Sequence, residues 1–256
     1  SSADMPRILL LLPTLLLAAA CASDDLTAPP QGTLDPRVVE LMRTVCDRAK
    51  TQTQFRFTIV DSMDEVLPSQ QKLQFTHRRE ITVSRPDRLH VEIEGDKAHR
   101  SLWKDGQTIT LADHDHGVYA TLPDPGSIDD MMDMLWHEYG ISTPLADILS
   151  SDPYAVFMDG AVSATYVGTG YVGETACHHM AVQRENLDFQ VWVGQEDTRL
   201  KKLVITYWQQ RGEPQYTMWV QSVGDASVMS GDEFAPRLPE HYEPIELTPL
   251  LAETGR

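Results

Sequence analysis

Two long stretches of alternating apolar and polar residues, separated by a single helical interlude, constrain this chain more than any other feature. In the first stretch, Phe55, Phe57 and Ile59 alternate with polar neighbours. So do Leu73, Phe75, Ile81 and Val83, and then Leu89, Val91 and Ile93 against His90, Glu92 and Glu94. Period two is the signature of a strand with one covered face. Further strands are expected over Arg100–Lys104, Gln107–Ala112 and Val118–Leu122, with turns at Gly95-Asp96, Asp105-Gly106 and His116-Gly117. From Ala161 the pattern returns. Strands are expected near Ala161–Gly168, His179–Glu185, Leu187–Gly194, Arg199–Gln210 and Gln215–Val223. Their second face is not fully polar, because it carries Trp192, Val204, Trp208 and Trp219. A sheet with one wet face alternates more cleanly.

Between the two stretches, Pro123–Ser127 leads into Ile128–Tyr139, where Ile128, Met131, Met132, Leu135 and Trp136 recur at helical spacing. Gly140 follows as the residue that ends the helix. A second short helix spans Leu145–Ser150, Asp152-Pro153 ends it, and Tyr154–Met158 is a mixed connector. An earlier helix starts at Asp35-Pro36, with Asp as cap and Pro at the first helical position. Its apolar stripe is Val38, Leu41, Met42, Val45 and Ala49. The tail after Ser230 holds Pro236, Pro239, Pro244 and Pro249 and is expected to be irregular. The order is therefore one helix, about six strands, helices, and about five strands. That order reads as α+β: one long curved antiparallel sheet with helices on its concave side.

The N-terminus carries an address. Met5, which reads as the initiator, and Arg7 precede an apolar run from Ile8 to Ala20. A basic residue, about a dozen apolar residues and a small-residue end make a secretory signal, too short for a transmembrane helix. Residues 1–20 are read as that signal. Leu17-Ala-Ala-Ala20-Cys21 is similar to a bacterial lipobox, which makes Cys21 a lipidation site; cleavage by the ordinary signal peptidase is the alternative. Ala22, rather than Asp, follows Cys21 and favours the outer membrane over the inner one. Residues 21–34 are polar and rich in Pro and Gly, a tether. Residues 35–256 then form one domain. The protein is expected in the periplasm, attached to the membrane through its anchor.

With 21 Lys+Arg against 38 Asp+Glu, the formal charge is −17. Nucleic-acid binding needs clustered cations and is excluded as a partner class. After Cys21 only Cys46 and Cys177 remain. In an oxidising compartment they form either one long-range disulfide or two separately buried thiols. His114-Asp115-His116 and His178-His179 invite a metal, but the first falls in a hairpin turn and the second pair faces both ways. Trp136-His137-Glu138 has no second His for a zinc-protease motif. Gly-x-Ser-x-Gly and phosphate-binding glycine loops are absent from the sequence. The expectation is a protein without catalytic residues, metal or cofactor.

Several short segments carry a resemblance. They are Arg85-Pro-Asp-Arg-Leu89, Lys104-Asp-Gly-Gln-Thr108, Tyr119-Ala-Thr-Leu-Pro123, Tyr139-Gly140 with Pro144-Leu-Ala-Asp147, Gly173-x-x-x-Cys177-His, Phe189-Gln-Val-Trp192-Val and Leu203-Val-Ile-Thr-Tyr207. In this order, over roughly residues 40–225, the chain resembles the LolA/LolB-like lipoprotein-carrier superfamily. More closely, it resembles a family of predicted periplasmic proteins of unassigned function within it. The resemblance implies an incomplete β-barrel of about 11 strands wrapped around helices, with a pocket for lipid or acyl chains between sheet and helices. The residues expected to form it are Met131, Met132, Leu135, Trp136, Leu145, Ile148, Leu149, Phe189, Val191, Leu203, Ile205 and Tyr207. The alternative is a lipoprotein with a filled core that docks an envelope partner, whose identity the sequence leaves open.

Overall fold

The computed structural model describes residues 32–141, 146–225, 229 and 231–250. The expected lipidation residue Cys21 and the pocket residue Leu145 lie outside the described residues, as do the signal and most of the tether.

The first helix, α1 (Pro36–Thr51), forms as its sequence dictates. The Asp35 carboxylate accepts the Arg37 N–H at 2.8 Å, and Val38, Met42 and Cys46 make one buried stripe. Six strands follow: β1 (Gln54–Val66), β2 (Lys72–Ser84), β3 (Arg88–Gly95), β4 (His99–Lys104), β5 (Thr108–Asp113) and β6 (Val118–Pro123). The interlude holds α2 (Ile128–Tyr139), α3 (Ala146–Leu149) and α4 (Pro153–Met158). Then come β7 (Ala161–Val172), β8 (Thr175–Arg184), β9 (Asp188–Gly194), β10 (Leu200–Thr206) and β11 (Gln215–Asp225), and a two-residue β12 (Glu243–Pro244).

All twelve strands belong to one curved, unclosed sheet in the order β12-β6-β5-β4-β3-β2-β1-β11-β10-β9-β8-β7. Neighbours are antiparallel except that β12 runs parallel to β6. The pairing of β1 with β11 joins the two meanders at the centre. Consequently β6 and β7 lie near opposite edges, and the helical interlude connecting them has to cross one face. That inner face carries the core.

Strand register sorts the inner face into rows. A deep row runs Phe55, Val83, Leu89, Lys104, Ile109, Leu122 across β1 to β6. The next row is Phe57, Ile81, Val91, Leu102, Leu111, Ala120, and it is apolar throughout. The third is Ile59, Arg79, Ile93, Arg100, Asp113, Val118, in which charge enters. Because each row is two residues further along its strands, the three span about 13 Å at 3.3 Å per residue.

Sequence and structure part in two places. Asp152-Pro153 starts α4 rather than only ending α3, with the Asp152 carboxylate accepting the Ala155 N–H at 3.4 Å. Trp208 lies in the turn after β10, not on a strand, and is 40% exposed. Over residues 231–250 the backbone is mostly irregular, with a short 3-10 turn at Gly231–Glu233, a buried Phe234 and β12 added to β6. Of the two arrangements left open for the cysteines, the structure has two separately buried, free thiols, Cys46 and Cys177. Cys46 faces the core from α1. Cys177 shares the outer-face parity of His179 on β8, opposite the core residues Met180 and Val182. The two thiols sit on opposite sides of the sheet, so the bridge does not form.

Candidate ligand chamber

The two halves of the sheet are covered unequally. Over β8 to β11, α1 and α4 pack down and fill the inner face; Phe157 of α4 meets Phe189 of β9 at 5.6 Å between ring centroids. Between α1, α4 and the central strands lies a small cavity of about 120 Å³, lined by Cys46, Phe55, Phe57, Ile148 and Phe157 among others. There, burial and the carboxylates of Asp47 and Asp152 push the Cys46 thiol up to about 12. The thiol is neutral and unreactive.

Over β3 to β6, α2 is the principal cover, and a chamber of about 620 Å³ lies beneath it. Its floor is the apolar row Val91, Leu102, Leu111 and Ala120, with Leu89 below and Ile93 above. Met131 and Met132 of α2, Ile141 and Leu149 form the facing wall. Ile245 and Leu247, just past β12, close the edge. His77, Arg79, Lys97, Arg100 and Asp113 form the rim.

The position of the wall is set by a few polar contacts. Ser127 caps α2 by accepting the Asp130 N–H at 3.1 Å, and the Asp130 carboxylate accepts the Ser127 N–H at 2.8 Å. The Ile128 N–H donates to the Pro86 carbonyl at 2.9 Å, seating the helix on the turn before β3. Lys104, fully buried in the deep row, pairs with Asp124 and donates to the Gly126 carbonyl at 2.6 Å. At the far end, Gly140 takes φ 66°, the left-handed region that favours glycine, and stops α2. The α3 wall is tied by the Arg85 guanidinium, which donates to the Leu149 carbonyl at 2.7 Å. Asp129 accepts the Ser151 N–H at 3.1 Å.

The expected pocket residues divide accordingly. Met131, Met132 and Leu149 line the large chamber, and Ile148 lines the small cavity. Leu135, Phe189, Val191, Leu203 and Ile205 are buried in the core and line neither, and Tyr207 packs against the core from a half-buried position. Trp136 stands 57% exposed, because the α2 stripe that turns inward is Ile128, Met131, Met132 and Leu135. The sequence reading placed part of the lining on Met131, Met132 and Leu149, which face the chamber, and part on β9 and β10, in the half that α1 and α4 cover. It also missed the rim and the tail. The signal for the rim was present, since Arg79 shares the parity of Ile81 and Arg100 that of Leu102.

On the outer face the histidines are engaged with protein groups. Ser101 donates to Glu92, the His114 Nε2 lies 2.5 Å from the Ser101 hydroxyl, and the His114 Nδ1 lies 2.8 Å from the Tyr242 hydroxyl. This chain of contacts fastens the tail to the sheet. The His90 Nε2 lies 2.7 Å from the Glu92 carboxylate, and His90 stacks on Trp103. His116 bonds Asp113 at 3.0 Å and His179 stacks on Trp192 at 4.1 Å, while His178, which shares the inner-face parity of Met180, bonds Tyr166. No group of three or more His, Cys, Asp or Glu among the described residues is arranged to hold a metal ion.

Burial opposes the charge of Glu92, but the hydrogen bonds from His90 and Ser101 and the nearby imidazoles outweigh it and hold the carboxyl below its ordinary value. The stabilisation this brings is complete above the unfolded value, about 4.5, and is lost as pH falls through the folded one. Acid titration of the thermal midpoint is therefore expected to fall less steeply below about pH 4.5 in Glu92→Gln. An identical slope in the two chains would contradict this account of the outer face.

No described helix is long and apolar enough to cross a membrane. In comparison with known proteins, the model of a family described as predicted periplasmic protein (DUF2092) matches residues 38–248. Curated proteins gave no match. Similar solved structures include LprF from Mycobacterium bovis, at 11% identity and TM-score 0.48, covering 82% of this chain and 100% of that one. An uncharacterized conserved protein from Thermus thermophilus aligns at 8% identity and TM-score 0.46, over 80% and 96%. A LolA superfamily protein from Nitrosomonas europaea aligns at 8% identity and TM-score 0.35, over 76% and 97%.

Proposed function

The chain belongs to that family of predicted periplasmic proteins, and from this premise we propose that it is a non-catalytic binding protein that holds a hydrophobic ligand, a lipid or an acyl chain, beneath α2. The observation that carries the reading is the chamber of about 620 Å³ with an apolar floor. Small-molecule sites are typically about 300–1,000 Å³. Each methylene moved from water into such a space contributes about 0.8 kcal/mol. Met131 and Met132 suit a wall that adapts to chains of different shape, since thioether side chains repack easily. The absence of catalysis is supported by Ser101, the one serine beside an imidazole at 2.5 Å among the described residues. It is 2% exposed and donates its hydrogen to Glu92.

The same proposal includes the parts argued from sequence alone: a signal over 1–20, lipid attachment at Cys21, a tether to 34, a single domain from 35, and an outer-membrane address. A second reading, a docking lipoprotein with a filled core, is favoured by one observation: α1 and α4 close the β8–β11 half. The test is uptake of the neutral fluorophore N-phenylnaphthylamine by the purified, detergent-free protein. A saturable rise in fluorescence at one probe per chain is expected. No rise would contradict the binding reading and leave the docking one.

A further inference from the structure

We propose that the ligand carries an anionic head, a carboxylate or phosphate ester on an apolar chain, and that Arg100 receives this head at the chamber mouth. The proposal rests on the binding reading above and narrows it to one class of amphiphile.

At −17 the molecule as a whole repels anions, so cations gathered at one opening are a local departure from its field. Arg79, Lys97 and Arg100 all line the chamber, against one lining carboxylate among the described residues, Asp113. Register places Arg79 and Arg100 in the same row, either side of Ile93, directly above the wholly apolar row of the floor. A molecule lying along the strands would have its chain over Val91 and Leu102 and its head at this row.

The three cations differ in what they already hold. The Arg79 Nε donates to Asp61, which is 1% exposed, at 2.7 Å. Lys97 pairs with Glu65 and lies 3.8 Å from the centre of the Phe75 ring. Arg100 differs: its side chain is 57% exposed, and its ion pair with Asp113 is long, 3.6 Å from Nε, beyond hydrogen-bond reach. Its guanidinium makes no hydrogen bond among the described residues, while Asp113 already accepts from the His116 backbone N–H at 3.2 Å and lies 3.0 Å from its Nδ1. A planar fork of five N–H donors stands at the wet end of an apolar chamber. Carboxylate and phosphate oxygens are the groups that such a fork binds in pairs.

The test is competition against bound N-phenylnaphthylamine on the purified full chain. The competitors are dodecanoate, dodecyl phosphate, dodecanol and dodecyltrimethylammonium, at pH 8 and below their micelle thresholds. Both anions are expected to displace the probe at concentrations about tenfold or more below dodecanol, and the cation less well than dodecanol. Arg100→Gln, an exposed replacement that leaves the core untouched, should bring the anions to the level of dodecanol and leave dodecanol unchanged. The better of the two anions identifies the head as carboxylate or phosphate. Equal competition by dodecanol and the anions would overturn the anionic head while the binding reading stands. Equal weakening of both by Arg100→Gln would do the same. A chain that takes up no probe and none of the four amphiphiles would overturn both.

Discussion

Lys104→Ala is expected to melt about 6–20 °C below the parent chain, the largest stability loss among the replacements considered. Lys104 is wholly buried in the deep row, Asp124 is 6% exposed, and the Gly126 carbonyl completes the ammonium's partners. Removing the lysine leaves Asp124 as an uncompensated buried charge, which costs about 3–5 kcal/mol. For a chain of this size each kcal/mol corresponds to about 2–4 °C. The same contacts hold the turn from which Ser127 starts α2, so the loss falls where the chamber wall is set. Replacing both partners, Lys104→Met with Asp124→Leu, should recover most of the loss, because the cost lies in the orphaned charge rather than in the missing pair. A single variant that melts within a degree or two of the parent would contradict the assignment.

Ala120→Phe is expected to abolish ligand uptake while leaving the fold intact. Ala120 is 3% exposed and belongs to the apolar row that floors the chamber. Elsewhere in a packed core an added ring costs about 1–3 kcal/mol through strain. Here the empty space accepts it, and the ring occupies the volume a chain would use. The control is Leu203→Ala on β10, in the filled half. It should lose about 2–5 kcal/mol of stability through the cavity it leaves, with probe uptake retained. Should Ala120→Phe take up probe as well as the parent, the chamber beneath α2 is not the site.

The architecture was legible because alternation fixes which face each strand buries, and the six-strand, helix, five-strand order permits few arrangements. The helix at Asp35-Pro36 was legible from its cap. The same Asp-Pro pair at 152–153 went unread as a helix start because the helix that follows is too short to show periodicity. The strand residues expected in the lining fall outside the chamber for a different reason. Sequence shows that Phe189, Val191, Leu203 and Ile205 face inward, and they do. It does not show that α1 and α4, distant from them in the chain, come to rest on that half. Which strands a helix covers is a tertiary choice, set here by β6 and β7 lying near opposite edges of the sheet. Rim and tail escaped for a third reason: Arg79 and Arg100 break the apolar parity of their strands, and Ile245 and Leu247 stand in a proline-rich segment with no period.

The central claim is that the space between β3–β6 and α2 holds an apolar molecule. Its most direct test is organic-solvent extraction of the full chain, purified without detergent, followed by mass spectrometry of the non-covalently bound fraction. The account predicts close to one equivalent of an amphiphile per chain from the parent and almost none from Ala120→Phe. An extract free of lipid from a folded parent, or the same lipid in the same amount from both chains, would contradict it.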